Sequence, residues 1–278
     1  MTLLIDSIHD IADQFDAIVL DQWGVLHDGS APYPSALATL SALSSATLGV
    51  LSNSGKRAAP NAARIAKMGF NATRFHTVMT SGEALWQLFA AGDQSVSSIY
   101  PIEGQQGDAA NWAQGLSLNI TSRVSGADAV VLMGLPDGTA PDAYDDNLRA
   151  AHARDLPLYC SNPDLTSPRG GGTYVVSPGA LAVRYQEMGG VVHFFGKPHL
   201  PVFTVMQTAL GCAAGKILMV GDSLHHDIIG AQNAGWDSLL IEAGVHAPDI
   251  GKDRKTDIAA LAAKAHAALP TYSLPDLR

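Results

Sequence analysis

Asp21 closes the apolar run AIVL that begins at Ala17, and the chain then turns through Gly24 and Gly29. A buried parallel strand reads as a short continuous apolar run, and ligands of open α/β sheets collect at the carboxyl ends of such strands. A carboxylate there is placed for chemistry. Three more runs end alike: LGVL before Ser52, Asn53 and Ser54; VVHFFG before Lys197; and KILMVG before Asp222, with Asp227 five residues on. Read singly, an aspartate after a strand is a helix N-cap, a lysine is solvated, and Ser and Asn are turn residues. Read jointly, they assemble a site for phosphoryl transfer. Asp21 attacks phosphorus if the negative charge is compensated by Lys197 and by a Mg²⁺ held between Asp21 and Asp222. The Ser52 hydroxyl and the N–H groups around Asn53 and Ser54 can hold the phosphoryl oxygens. Asp227 binds the metal through water or fixes Lys197.

The elements that must position these groups alternate between strand and helix. Strands are predicted near 17–20, 47–51, 97–100, 128–133, 157–160, 191–195, 216–220 and 237–241. Helices are predicted over 60–68, over 81–91 with Ser81 as its cap, and over 141–154. This alternation implies an α/β fold with parallel sheets. The first sixteen residues predict an amphipathic helix and lack the pattern of a secretory signal. Ser167 to Ala180, rich in Gly and Pro, reads equally as a substrate gate or a wide surface turn.

At 278 residues and 47% hydrophobic, the chain supplies a packed core, while a net charge of −9 argues against nucleic acid or an anionic membrane as partner. No apolar run approaches the ~18 residues of a membrane span. Cys160 and Cys212 lie far apart, as reduced thiols of a cytoplasmic protein would.

In their order, these segments resemble the four motifs of the haloacid dehalogenase superfamily of phosphohydrolases. The resemblance implies a Rossmann-like parallel-sheet core, residues 1–80 and 190–278, with an inserted α/β type II (C2) cap over 81–189. SNPD at Ser161 to Asp164, SPGAL from Ser177, GKP ending at Pro198 and GDSLHHDIIGAQNAG from Gly221 are most similar to subclass IIA. That branch includes p-nitrophenyl, nucleotide and pyridoxal phosphate phosphatases. It implies a cytoplasmic Mg²⁺-dependent phosphatase of a small phosphorylated metabolite, working through an aspartyl-phosphate on Asp21. It also implies Lys197 as a catalytic partner, the Trp23 backbone carbonyl as a metal ligand beside Asp21, Asp222 and Asp227, and dimers formed through the cap in some members.

The departure is Trp23 itself, because the family's phosphatases carry a second aspartate there as general acid and base. Indole is only an N–H donor. Acid–base assistance is worth roughly 10²–10⁴ of a far larger acceleration, so slow turnover remains physically open, best for leaving groups that need no proton. His27, Asp28, His199, His225 and His226 are candidate substitutes, or else surface and supporting residues, and Trp23 can instead wall the substrate. Two other functions stand beside the first: a metal- and phosphate-binding protein with negligible turnover, and a different hydrolysis on the same fold. Asn162 and Asp164 read as an Asx-type turn. Arg169, Tyr174 and the glycines between them are placed to touch a leaving group.

Overall fold

A computed structural model describes residues 1–43, 46–92, 95–169 and 173–278, with the backbone alone at 168, 169 and 173. The first segment runs through β1 (Leu3–Leu4), two short 3-10 turns, β2 (Ala17–Leu20), α1 (Pro34–Ala42), β3 (Thr47–Ser52), α2 (Ala58–Lys67) and β4 (Phe75–Thr80). Next come α3 (Ser81–Ala90), β5 (Ser98–Ile102), α4 (Asp108–Trp112), β6 (Asn119–Ile120), β7 (Ala129–Leu132) and α5 (Asp145–His152). They are followed by β8 (Leu158–Cys160), β9 (Thr166–Arg169), β10 (Thr173–Val176), α6 (Pro178–Glu187) and β11 (Val192–Phe194). The last segment holds α7 (Leu200–Leu210), β12 (Ile217–Gly221), α8 (Ile229–Ala234), β13 (Asp237–Ile241), α9 (Arg254–Lys264) and β14 (Tyr272–Leu274).

Two compact units result. The larger comprises Met1–Ser52, Ala59–Met79 and Lys197–Arg278, around a seven-stranded sheet ordered β1-β14-β13-β12-β2-β3-β4. Pairings from β1 through to β3 are parallel. All four residues of β2 are buried, as expected of a strand covered on both faces. Ile18, Leu20, Leu48, Val50, Leu218 and Val220 form the centre of its core.

The smaller unit comprises Asn53–Ala58 and Thr80–Gly196, with a five-stranded sheet ordered β11-β8-β7-β5-β6 and a β9-β10 hairpin. Val130, Leu132 and Leu158 pack there with Leu181 and Tyr185 of α6. Strand β11 pairs with β8, so this unit runs past residue 189, the end expected for the insertion. Of the predicted gate, Gly170 to Gly172 and the side chain of Arg169 lie outside the described residues, while Tyr174 stands exposed.

The predicted N-terminal helix is absent. Leu3 and Leu4 instead extend the sheet beside Tyr272 and Ser273, the Ile5 N–H donates to the Ser273 carbonyl at 3.0 Å, and the Ile8 N–H donates to the Arg278 carbonyl at 2.9 Å. Ser7 and Asp10 form a capping box on a single 3-10 turn, which Ile11 ends. The cap of α3 is Thr80, not Ser81: its hydroxyl accepts the Glu83 N–H at 2.9 Å. Helix α5 starts at Asp145 rather than 141, because Ala140 to Asp145 closes as tight turns first. Among strands not predicted, β1 and β14 are too short to show a pattern.

Ile8 is fully buried in the core of the larger unit. Ile8→Ala is expected to cost about 2–5 kcal/mol, the range for deleting a buried aliphatic side chain. A urea unfolding midpoint that does not move would show that this segment is not part of the folded core.

Candidate active site

Register brings the strand ends level. Leu20 of β2 lies opposite Val220 of β12 on one side and Val50 of β3 on the other. Asp21, Asp222 and Ser52 therefore emerge together at the carboxyl ends of three adjacent strands. From β2 the chain passes to β3, while β12 lies on the other side, so this is a switch point of the sheet, where such folds bind ligands.

Lys197 enters from the loop before α7. Its ammonium, only 2% exposed, lies 2.7 Å from Asp21 Oδ1 and 2.7 Å from Asp227 Oδ1. Asp21 Oδ1 also accepts the Gln22 N–H at 2.7 Å. Asp227 is fully buried because Leu224–Ile228 winds as one turn of π-helix, with the Ile228 N–H reaching back to the Ser223 carbonyl at 3.2 Å. Such wide turns cluster at functional sites. The turn aims the carboxylate inward, where Asp227 Oδ2 accepts the Ser223 N–H at 3.1 Å.

Asp222 is held just as closely. Its Oδ2 accepts the Val245 N–H at 2.9 Å. Gly24, at φ 76°, passes so near that a Cβ would lie 1.9 Å from that oxygen, and one on Gly244 would lie 2.1 Å from it. Larger residues would displace the carboxylate.

Charge balance in this cluster is incomplete. Burial pushes Asp21 up to about 6, with Asp227 adding to the rise and Lys197 opposing it. Burial, then the charges of Asp21 and Asp227, push Asp222 up to about 7. Lys197 rises above its ordinary value although burial opposes its charge, because two carboxylates hold the proton. One lysine thus faces three acids. Asp21, Asp222 and Asp227 each offer an oxygen within 4.8 Å of the others, a donor set that fits a hard cation preferring oxygen ligands.

The other expected residues divide. Ser52 is buried at the end of β3. Asn53 and Ser54 group with the smaller unit, where Asn53 Nδ2 donates to Asp164 Oδ1 at 2.7 Å and the Ser54 carbonyl accepts the Gly82 N–H at 3.0 Å. Asp164 in turn closes the Asx turn predicted from the sequence, donating its N–H to Asn162 Oδ1 at 3.1 Å. Trp23 extends its ring over Gly29 and remains 43% exposed.

The candidate substitutes for a missing acid each have other contacts. Burial, then the charge of Arg64, lower the pKa of His27, whose Nδ1 accepts the Gly29 N–H at 3.0 Å. Backbone N–H groups of Ala31 and Ser30 hold Asp28 down to about 2. Burial, then His225 and His226, lower His199, and those two rings pack against each other at 5.2 Å. The Gly244–Val245 loop and His246, whose Nε2 accepts the Leu224 N–H at 3.2 Å, escaped the sequence reading. The glycine just past the β13 run was the available signal.

Residues 18–113 match the haloacid dehalogenase-like hydrolase family, and residues 194–276 match a second, HAD-hydrolase-like family. The chain is 27% identical to chronophin from Bos taurus over 295 residues, covering 98% of this chain and 95% of that one. A haloacid dehalogenase-like hydrolase structure from Brucella suis 1330 superposes with a TM-score of 0.80 at 28% identity, covering 99% of this chain and all of the other. Glycerol phosphate phosphatase from Mycobacterium tuberculosis, solved with magnesium, gives a TM-score of 0.69 at 26% identity over 87% of this chain and 71% of that one. Both ends of the interrupted core match the same kind of hydrolase and the likeness runs on through the insertion, so the chain belongs to the haloacid dehalogenase superfamily, in its subclass IIA.

Proposed function

We propose that this protein is a Mg²⁺-dependent phosphatase of a small phosphorylated metabolite, with Asp21 as nucleophile. The observation that carries the reading is Lys197 clamped between Asp21 and Asp227 while Asp222 completes a three-oxygen group. Phosphoryl transfer asks little covalent chemistry of a protein beyond a positioned nucleophile and charge compensation, and that is what these groups offer. The name of one relative, glycerol phosphate phosphatase, points the same way.

Contacts from Lys197 and the Gln22 N–H on Oδ1 fix the Asp21 carboxylate, leaving Oδ2 to attack phosphorus. Lys197 keeps its proton and offsets charge as the phosphoryl group transfers. Ser52, with N–H groups at Asn53 and Ser54, holds the equatorial oxygens. Mg²⁺ at Asp21, Asp222 and the Trp23 carbonyl, with Asp227 direct or through water, would supply neutralisation of the phosphoryl oxygens.

Trp23 favours a second reading, a phosphate-binding protein with negligible turnover. Asp21→Asn and chelation separate the two. Each is expected to lower Mg²⁺-dependent phosphatase activity by at least about 10³-fold, as loss of a nucleophile does elsewhere. Activity that survives Asp21→Asn would sink the aspartyl-phosphate route. A wild type that binds phosphate or beryllium fluoride without metal-dependent turnover would establish the binding protein.

Asp21 and Asp222 lie above their ordinary value of 3.8 in the folded state, so the fold binds more protons than the unfolded chain between there and about 7. Their contribution to stability then falls as pH rises through that window. Lys197 is raised and loses its contribution only at far higher pH. His27 and His199, lowered below their ordinary value, act in the opposite sense, so the measurement is the difference in Tm between wild type and Asp222→Asn. In chelator, that difference is expected to drop between about pH 5 and about pH 8, and Mg²⁺ to restore it by binding the ionised folded form. A metal-free difference that is level or rising across this range contradicts the assignment.

A further inference from the structure

The alkoxy group of an alkyl phosphate departs as a strongly basic alkoxide unless a proton meets it, so the donors bordering Asp21 decide which esters can be cleaved. Among the described residues of the Asp21 to Gly29 loop, none is placed as an acid. Gln22 carries an amide and Trp23 an indole, neither of which releases a proton near neutrality. The His27 ring is fully buried with Nδ1 already accepting from the Gly29 N–H, a bond that protonation there would break. Asp28 Oδ1 accepts from the Ser30 N–H and hydroxyl at 2.8 Å each and from the Ala31 N–H at 2.7 Å, which commits it as an acceptor. Lys197 is held by two carboxylates.

What the loop does offer is a fixed aromatic face. Gly29, at φ 95°, brings its backbone so close that a Cβ would lie 2.1 Å from Trp23 Cη2. The His27 ring meets the indole edge-on, with centroids 5.7 Å apart. Arg64 of α2 donates to the Gly29 carbonyl at 2.8 Å and sets its guanidinium carbon 5.6 Å from the indole centroid. The ring is thus pinned by three neighbours and still 43% exposed. A pinned, exposed indole stacks on planar π-systems, and Arg64 beside it favours one that bears negative charge.

Resting on the phosphatase reading above, we infer that the substrate is the phosphate ester of a planar, delocalised hydroxyl such as a phenol or an enol, which leaves unprotonated and stacks on Trp23. Asp21 forms a P–O bond as the bond to the leaving oxygen breaks, and that oxygen keeps the electron pair as a delocalised oxyanion. Water then attacks phosphorus, Asp21 leaves with its electron pair, and both water protons remain on the dihydrogen phosphate released.

The test compares 4-nitrophenyl phosphate, 4-nitrobenzyl phosphate and acetyl phosphate on the full chain with Mg²⁺. The first two share a ring, but the second must leave as an alkoxide. Nitrophenyl ester is expected to exceed nitrobenzyl ester in kcat by about 10²–10⁴-fold, the usual worth of an acid. Trp23→Leu is expected to raise KM for the nitrophenyl ester about ten-fold more than for ringless acetyl phosphate, a factor within reach of one stacking contact. Trp23→Asp is expected to narrow the nitrophenyl to nitrobenzyl ratio at least about ten-fold by supplying a carboxyl acid. Equal kcat on both esters by wild type, or a KM shift shared with acetyl phosphate in Trp23→Leu, would overturn the inference and leave Asp21 chemistry standing. No turnover of any of the three would remove the phosphatase reading and the inference together.

Discussion

The ammonium of Lys197 sits between the carboxylates of Asp21 and Asp227, 2.7 Å from each, in a place water scarcely reaches. Burying acids without a partner is expensive, and a lysine so placed is the partner of both. The rest of the site answers to that constraint. The loop before α7 must deliver Lys197 to the mouth of β2, and the π-turn after β12 must swing Asp227 inward to meet it. Asp222 then brings a third acid, and the three carboxylates offer oxygens within 4.8 Å of one another, a group that could hold a metal ion.

The loop after β2 serves two ends at once. Its beginning holds Asp21 and, through Gly24, lets Asp222 approach. Its later part spends its polar groups on itself: Asp28 caps Ser30 and Ala31, and His27 takes the Gly29 N–H. Trp23 between them is exposed yet held by Gly29, His27 and Arg64. A loop built this way presents a rigid aromatic surface, rather than a titratable group, two residues after Asp21.

How much of this could be read beforehand follows from the range of the interactions. Strand β2, with Asp21, and β12, with Asp222, are legible because buried parallel strands are continuous apolar runs and each ends abruptly in a polar group. The Asx turn at Asn162 was legible because it closes within two residues. The N-terminal segment departs from its local helical pattern, since its partner strand lies at the far end of the chain and outcompetes that pattern. The place of Asn53 after Ser52 is local, whereas its side chain turns to Asp164, a partner no local pattern announces.

By itself, the sequence determined which groups are available: an aspartate, a serine, a lysine and two more aspartates at the ends of apolar runs, and an indole where an acid could have stood. Residue type and strand pattern are local properties, so they are written along the chain. Only the tertiary structure decided that Lys197 bridges Asp21 and Asp227, that Gly244 and Val245 cradle Asp222, and that Arg64 braces Trp23. Those contacts depend on sheet order and register, which arise from the packing of segments far apart in the chain.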